Sequence, residues 1–219
     1  MEAVIFGATG MVGIEVLDQC LAARQISRVV TLGRNTTGLE HEKLQEIEHS
    51  DFLDFSAQEH TLATADLCFY CLGVYQTRVS RQKFWQVTVD YLDALIATLE
   101  AVNKGITFCL FSTQGAAPKE NSPFLFGNVK GRAEKHLGDS ALHNQYIFRP
   151  GYISPGRKTA ISGPGMWLCK PIYKLFPFLG INAVDLAAAM VDVGLNGHAN
   201  TVLGNGDLRA IAQRLKRQG

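Results

Sequence analysis

A chain of 219 residues is long enough for one substantial hydrophobic core and short for two. Apolar residues make up 47% of it and charged residues 19%, a balance typical of a soluble α/β enzyme. The net charge of +1 provides no concentrated basic surface, which argues against a nucleic-acid partner.

The sequence shows neither a recognisable export signal nor an apolar run of the roughly 18 residues that a spanning helix needs. Its five cysteines are odd in number and irregularly spaced, which is typical of a reducing compartment rather than of a disulfide scaffold. We therefore expect a cytoplasmic protein without stable membrane insertion. The composition leaves the oligomeric state open.

Short apolar runs alternate with longer helical patterns along the first two thirds of the chain. Strands are predicted at residues 3–6, 28–32, 44–48, 66–72, 106–111 and 145–148. Helices are predicted to begin at residue 13 and to cover 80–102 and 124–137. Because continuously apolar strands separated by helices are typical of parallel sheets, we predict an α/β fold with a Rossmann-type doubly wound parallel sheet.

The character of the sequence changes after residues 149–151 (Arg-Pro-Gly), where glycine, proline and aromatic residues become frequent. A helix at 185–195, a strand at 201–203 and a last helix from 207 are predicted beyond this part. No linker separates two units, so we expect one domain over 1–219, with a core of 1–150 and a C-terminal part of 151–219. The apolar stretch 166–179 is interpreted as a lid over an apolar substrate pocket, with core packing or a membrane or partner surface as alternatives.

A glycine-rich turn occupies residues 7–13 (Gly-Ala-Thr-Gly-Met-Val-Gly), between the first strand and the first helix. Gly7 permits the tight turn, Gly10 lets the backbone approach a pyrophosphate, and Gly13 lets the helix pack closely on the strand. The helix N-terminus adds favourable partial positive charge. The turn therefore predicts a dinucleotide cofactor, bound by Gly7, Thr9, Gly10, Met11 and Val12.

The end of the second strand bears on the choice between NAD and NADP. A ribose 2′-hydroxyl is usually held there by a carboxylate and a 2′-phosphate by a cation. The sequence has Arg34 at this point and no carboxylate before Glu40. Since arginine offers a planar fork to phosphate, NADP is predicted, with NAD as the other possibility.

Several motifs follow the glycine turn in a characteristic order: residues 71–73 (Cys-Leu-Gly), 112–113 (Ser-Thr), 124–131 (Phe-Leu-Phe-Gly-Asn-Val-Lys-Gly) and 149–151 (Arg-Pro-Gly). This order resembles the atypical short-chain dehydrogenases, in the Tat-interacting oxidoreductase-like branch with its small bacterial relatives. The resemblance covers nearly the whole chain and implies a Rossmann fold whose short C-terminal lobe lies on the substrate side. It also implies contacts to the adenine, the ribose and the nicotinamide from Asp51 and Phe52, from Leu72 and Gly73, and from Pro150 and Gly151, respectively.

Active members of this family combine a tyrosine and a lysine, four residues apart, with a serine or threonine. The resemblance implies that Lys130 holds the ribose and that Thr113 or Ser112 bonds a substrate oxygen. Phe126 stands where the tyrosine would be, and phenylalanine has no proton to give. The spacing would place Phe126 and Lys130 on one helical face.

Two functions follow from this departure. In the first, the protein reduces a small carbonyl compound, with Tyr75, Tyr152 or a water replacing the missing phenol. In the second, it binds NADP(H) without redox chemistry and acts as a regulatory protein that responds to a small-molecule effector. The retention of Lys130, Ser112 and Thr113 favours the enzyme slightly.

One further pattern, residues 68–71 (Cys-Phe-Tyr-Cys), matches a metal or redox motif by spacing alone. It falls inside a predicted strand, where residues three apart point to opposite faces. We therefore expect buried packing for Cys68 and Cys71. No metal ligand is predicted elsewhere in the chain, because the histidines lack zinc-site spacing.

Overall fold

The computed structural model of the protein describes residues 1–156 and 179–218. Within them, seven strands form one parallel sheet: β1 (Glu2–Phe6), β2 (Arg28–Gly33), β3 (Leu44–Glu48), β4 (Leu67–Tyr70), β5 (Thr107–Phe111), β6 (Asn144–Arg149) and β9 (Val202–Gly204). Their order is β3-β2-β1-β4-β5-β6-β9. Two shorter strands, β7 (Tyr152–Ser154) and β8 (Gly180–Asn182), pair in parallel beside this sheet. The predicted Rossmann-type parallel sheet is confirmed.

The α-helices of the described residues are α1 (Gly13–Ala22), α2 (Glu59–Thr64), α3 (Arg81–Trp85), α4 (Tyr91–Val102), α5 (Leu125–Asp139), α6 (Ala183–Asn196) and α7 (Asn205–Gln218). A π-helix (Gln86–Asp90) and two 3₁₀ helices (Ser56–Gln58 and Gln76–Arg78) accompany them. Residues from α1, α6 and α7 share one buried core cluster, and residues from α2, α4 and α5 share another. Along β1 the side chains alternate, since Ile5 belongs to the first cluster and Val4 and Phe6 to the second. The sheet is therefore covered on both faces.

The strand order reverses at β1, which lies between β2 and β4. In sheets of this type, ligands bind in the crevice beyond the carboxyl ends of the strands at the reversal. Gly7 directly follows β1, and Cys71 follows β4 and donates its N–H to the carbonyl oxygen of Phe6 at 2.9 Å. The topology therefore brings the glycine turn and the residues after β4 to one crevice.

Some details of the prediction differ from the structure. The strand expected at 66–72 is shorter, because residues 71–73 leave the sheet and enter the crevice. A π-helix interrupts the helical pattern at 80–102, a feature that hydrophobic spacing does not reveal. The short helix α2 and the pair β7–β8 were not predicted. The stretch proposed as a lid, 166–179, lies outside the described residues except for Leu179.

The two cysteines of the Cys-x-x-Cys pattern lie on opposite faces of the sheet, as predicted. Cys71 belongs to the α1 and α6 cluster and Cys68 to the other one. Burial raises the pKa of the Cys71 thiol to about 12. Both cysteines are therefore packing residues.

Within the described part of the chain, no helix combines the length and apolarity needed to cross a membrane.

We predict that Gly13→Ala destabilises the fold, because α1 begins against the end of β1. A Cβ on Gly13 would lie 2.1 Å from the carbonyl oxygen of Gly7. Relieving this overlap by moving α1 would cost about 1–3 kcal/mol, the usual price of overpacking. For a domain of this size the melting temperature should fall by about 2–4 °C per kcal/mol, which calorimetry measures.

The matched control is Gly138→Ala in α5, where a Cβ meets no atom within 4 Å. Alanine is a better helix former than glycine, so this variant should be unchanged or slightly more stable. Equal melting temperatures for the two variants would contradict the close approach at Gly13.

Candidate functional site

The turn after β1 is too tight for side chains at its first position. Gly7 has a φ of +79°, and a Cβ there would lie 2.8 Å from the backbone of Cys71. Gly10 donates its N–H to the carbonyl oxygen of Gly7 at 2.9 Å, and Ile14 donates to that of Gly10 at 3.0 Å. The turn thus leads directly into α1, whose N-terminus carries the partial positive charge that favours an anion.

A cavity of about 120 Å³ opens at this turn. Its lining comes from the ends of three neighbouring strands and from the chain after β3: Gly7, Ala8, Thr9, Gly10, Thr31, Leu32, Gly33, Arg34, Asn35, Phe52, Cys71, Leu72 and Gly73. A Cβ on Gly10 would meet only the carbonyl oxygen of Gly7, at 3.1 Å, within 4 Å. The cavity thus presents bare backbone that a pyrophosphate can approach.

The structure brings most of the predicted cofactor residues to this cavity. Gly7, Thr9, Gly10, Arg34, Phe52, Leu72 and Gly73 all line it. Met11 and Val12 do not, because both pack on the α1 and α6 cluster. Asp51 also stays outside the lining, and its carboxylate accepts the N–H of Leu53 at 3.0 Å.

Phe52 forms a fixed apolar wall of the cavity. Its side chain is almost fully buried and stacks on Tyr91 with ring centroids 5.3 Å apart. Phe55 and His49 meet it edge-on, at 6.3 Å and 5.3 Å. Such a wall suits a flat base like adenine, which sequence resemblance alone implied for this residue.

Arg34 is exposed at the start of the loop between β2 and β3. The loop is held by Glu46 of β3, whose carboxylate accepts the N–H and hydroxyl of Thr37 at 2.7 Å and 2.6 Å and the N–H of Gly38 at 3.3 Å. Sequence reasoning missed Glu46, because it sought a carboxylate only on β2. The parallel register sets Glu46 beside Thr31, so strand pairing supplies the anchor.

The lysine of the family motif lies on α5 and is partly buried. Burial lowers the pKa of the Lys130 ammonium to about 8, while the negative charge of Glu134 acts in the opposite direction. Phe126, one turn earlier, stacks on Phe84 of α3 with ring centroids 6.0 Å apart. The ring therefore belongs to the edge of the core and provides no hydroxyl.

The two hydroxyl residues after β5 have different surroundings. Ser112 is only 3% exposed and donates its hydroxyl to Oε1 of Glu134. Thr113 is partly exposed and donates to the carbonyl oxygen of Gln114 at 3.3 Å. Of the two predicted candidates, Ser112 is buried and bonded to Glu134, and Thr113 is the more exposed hydroxyl.

Glu134 is a second functional candidate that sequence reasoning missed. Its side chain is 1% exposed, and Nε of Arg149 donates to both of its oxygens at 3.0 Å. Nη2 of Arg149 also donates to Oε2 of the same carboxylate. The sequence did contain one indication of its role, a carboxylate four residues after Lys130 on the buried face of a helix. Helical spacing cannot reveal that its partners, Ser112 and Arg149, lie at the ends of β5 and β6.

Pro150 and Gly151 follow β6 and are fixed by backbone hydrogen bonds. Gln114 donates its N–H to the carbonyl oxygen of Pro150 at 2.8 Å, and Gly151 donates its N–H to Oδ1 of Asn205 at 3.1 Å. These residues and Lys130 are not part of the lining of the cavity at the glycine turn. Pro150 and Gly151 directly follow β6, and Lys130 lies on α5.

Residues 3–135 match the sequence profile of the NAD dependent epimerase/dehydratase family. The chain belongs to this family. It is an atypical short-chain dehydrogenase, as the order of its motifs indicated. The match covers the glycine turn, the hydroxyl residues and Lys130, so the family assignment rests on the part of the chain that builds the site.

Two curated relatives support this assignment. Rat protein HTATIP2 is 28% identical over 177 residues, which cover 79% of this chain and 70% of the relative. The mitochondrial protein FMP52 of Candida albicans is 25% identical over 240 residues, which cover 98% of this chain and 100% of the relative.

Solved structures share the fold at low sequence identity. The PhqB reductase domain from Penicillium fellutanum has a TM-score of 0.71 at 16% identity, covering 94% of this chain and 67% of that one. WbmG from Bordetella bronchiseptica, solved in complex with NAD, has a TM-score of 0.68 at 17% identity, covering 100% and 78%.

The relatives correct one expectation. We expected a cytoplasmic protein, but several fungal relatives are named mitochondrial proteins. The expectation was based on the cysteine count, which indicates only that the protein is in a reducing environment. The count cannot distinguish the cytoplasm from other reducing compartments.

We predict that Gly10→Val abolishes binding of NADPH and NADH alike while the protein stays folded. A branched side chain at Gly10 would project into the cavity and occupy the space of the pyrophosphate. Isothermal titration calorimetry measures the loss, with Gly138→Ala as the variant that should bind as the wild type does. A folded Gly10→Val protein with undiminished affinity would show that the nucleotide binds elsewhere.

Proposed function

We propose that the protein is an NADP(H)-dependent reductase of a small carbonyl compound. The observation that carries the proposal is the cavity at the glycine turn, which Arg34 lines. Cys71, another lining residue, is near enough to Lys130 for their charges to interact. We further propose that residues 1–219 act as one domain, in which 1–150 hold the cofactor and 151–219 form the substrate side. Besides the cofactor, the ligand that we propose for this site is a small molecule, as substrate or effector.

The preference for NADP(H) is supported by Arg34. It lines the cavity at the end of β2, where the adenosine ribose lies in this fold. The nearby carboxylate of Glu46 accepts from Thr37 and Gly38 of the loop and, at 3.5 Å, from the hydroxyl of Thr31, which lines the cavity. Arg34 itself is exposed at the end of β2. The described geometry thus offers a cation for a 2′-phosphate.

The residues around the nicotinamide end have distinct roles in the proposed reaction. NADPH supplies the hydride when it is bound. The ammonium of Lys130, protonated below about pH 8, donates to the ribose hydroxyls, and the hydroxyl of Thr113 donates to the substrate oxygen. Phe126 gives no proton, so the oxygen takes one from water or from an exposed tyrosine such as Tyr75, and turnover should be slow.

A second function is a cofactor-responsive binding protein without turnover. The specific observation in its favour is the packing of Phe126 on Phe84, because the ring at the tyrosine position serves the core. In this case Lys130 would serve only ribose binding, and the bound small molecule would be an effector.

We predict that Arg34→Ala weakens NADPH binding at least about tenfold and leaves NADH binding nearly unchanged. A hydrogen bond to a charged group is worth about 1.5–3 kcal/mol, and only NADPH carries the 2′-phosphate. Calorimetric titration of both nucleotides into wild type and variant measures the effect. Arg24→Ala, which removes an exposed arginine beside the C-terminus of α1, is the control. Equal wild-type affinities for NADPH and NADH would contradict the proposed cofactor preference.

We predict that Phe126→Tyr raises carbonyl reduction, by up to about 10²-fold, the low end of general acid catalysis. The new hydroxyl would stand on the same face of α5 as Lys130, where a proton donor belongs. NADPH oxidation is followed with a panel of aldehydes, ketones and quinones, for wild type, Phe126→Tyr and Lys130→Ala.

The three proteins separate the two functions. Wild-type turnover that is lost in Lys130→Ala supports a working enzyme with another proton source. Turnover only in Phe126→Tyr supports the binding protein. No turnover in any of the three, with cofactor binding intact, would contradict the proposed geometry of the site.

A further inference from the structure

Among the described residues, Glu134 has a deeply buried carboxylate that accepts hydrogen bonds from several groups. The side chain is 1% exposed, and its carboxylate accepts hydrogen bonds from both Nε and Nη2 of the Arg149 guanidinium. Ser112 adds a third donor group through its hydroxyl. A buried carboxylate without such partners would strongly destabilise the fold. The donors from Arg149 and Ser112 therefore offset the cost of burying Glu134.

Glu134 and its two partners, Ser112 and Arg149, come from three different parts of the chain. Ser112 follows β5, Arg149 ends β6, and Glu134 itself lies on α5. Two backbone bonds continue the connection: Ser112 donates its N–H to Phe148 and Gln114 donates its N–H to Pro150, both at 2.8 Å. The carboxylate thus ties together the segments that carry Thr113 and Pro150.

Glu134 also stands one helical turn after Lys130. Residues four apart on a helix share a face, so the two side chains project from the same side of α5. Burial disfavours the charged form of Lys130, and the negative charge of Glu134 favours it. The same carboxylate therefore influences the position of the hydroxyl segment and the charge of the lysine.

We propose that Glu134 is the positioning residue of this site, which holds the Lys130 ammonium, the segment carrying Thr113 and the turn at Pro150 in one arrangement. It acts through these groups and touches neither cofactor nor substrate. The inference relies on the proposed function only for the identity of the nucleotide. The arrangement of Glu134, Arg149 and Ser112 is independent of it.

The first test needs no nucleotide. Lysine labelled with ¹³C at Cε is incorporated, and the protonation of Lys130 is followed by NMR against pH, with Lys130→Arg identifying its signal. Removing the negative charge in Glu134→Gln should shift the midpoint of the titration downward by about one pH unit. Asp139→Asn, which removes an exposed carboxylate bonded to Lys135 on the same helix, should leave the midpoint unchanged.

The second test measures affinity. Glu134→Gln should weaken NADPH and NADH by the same factor, roughly tenfold, because the nicotinamide ribose is common to both. The ratio of the two affinities, which reports on Arg34, should not change. If the proposed preference for NADPH is wrong, the wild-type protein will bind both nucleotides equally. If the inference about Glu134 is wrong, the wild type will be unaffected and Glu134→Gln will bind both nucleotides as tightly as the wild type does.

A purely structural Glu134 would give a different result: a lower melting temperature with the Lys130 midpoint and the affinities unchanged. That outcome overturns the inference. Should Glu134→Gln fail to fold, Glu134→Asp replaces it, because this variant keeps the charge but draws it back from Arg149 and Ser112. We expect a nearly unchanged Lys130 midpoint and a loss of affinity for both nucleotides in Glu134→Asp, and undiminished affinity there would equally overturn the inference.

Discussion

At the end of β1 the backbone passes so close to its neighbours that side chains are excluded on two sides. A Cβ on Gly7 would touch the backbone of Cys71 at 2.8 Å, and one on Gly13 would touch the carbonyl oxygen of Gly7 at 2.1 Å. This double contact joins β1, β4 and α1 at the point where the strand order reverses. The cofactor cavity exists because the chain can turn here without filling the crevice that the reversal creates.

The opposite end of the site depends on a charge rather than on missing side chains. There, Glu134 gathers Arg149 and Ser112, and the backbone bonds between the ends of β5 and β6 extend the arrangement to Pro150. Low dielectric strengthens each of these contacts but would make an unpaired member costly. The two ends therefore have different tolerances: the glycine turn is sensitive to volume, whereas the Glu134 cluster is sensitive to charge and geometry.

The surroundings of Phe126 on α5 explain why function is harder to infer than binding. Its ring continues the core by stacking on Phe84, while Lys130 on the next turn is an ammonium group whose pKa burial lowers to about 8. A single helical face thus combines packing at one position with a polar role at the next. This division is consistent with a site in which nucleotide binding is maintained while proton transfer is weakened.

Periodicity and local motifs determined much of this protein from the sequence alone. Alternation of apolar runs and helical patterns predicted the strands from β1 to β6, and the strand–turn–helix context identified the glycine turn, because both signals lie in neighbouring residues. Only the tertiary structure decided the rest. Glu46 holds the Arg34 loop through strand pairing, Glu134 meets Ser112 and Arg149 from 22 and 15 residues away, and the π-helix before α4 has no hydrophobic signature. These features depend on which strands lie side by side and on how a buried charge finds its partners, and local sequence spacing carries no record of either.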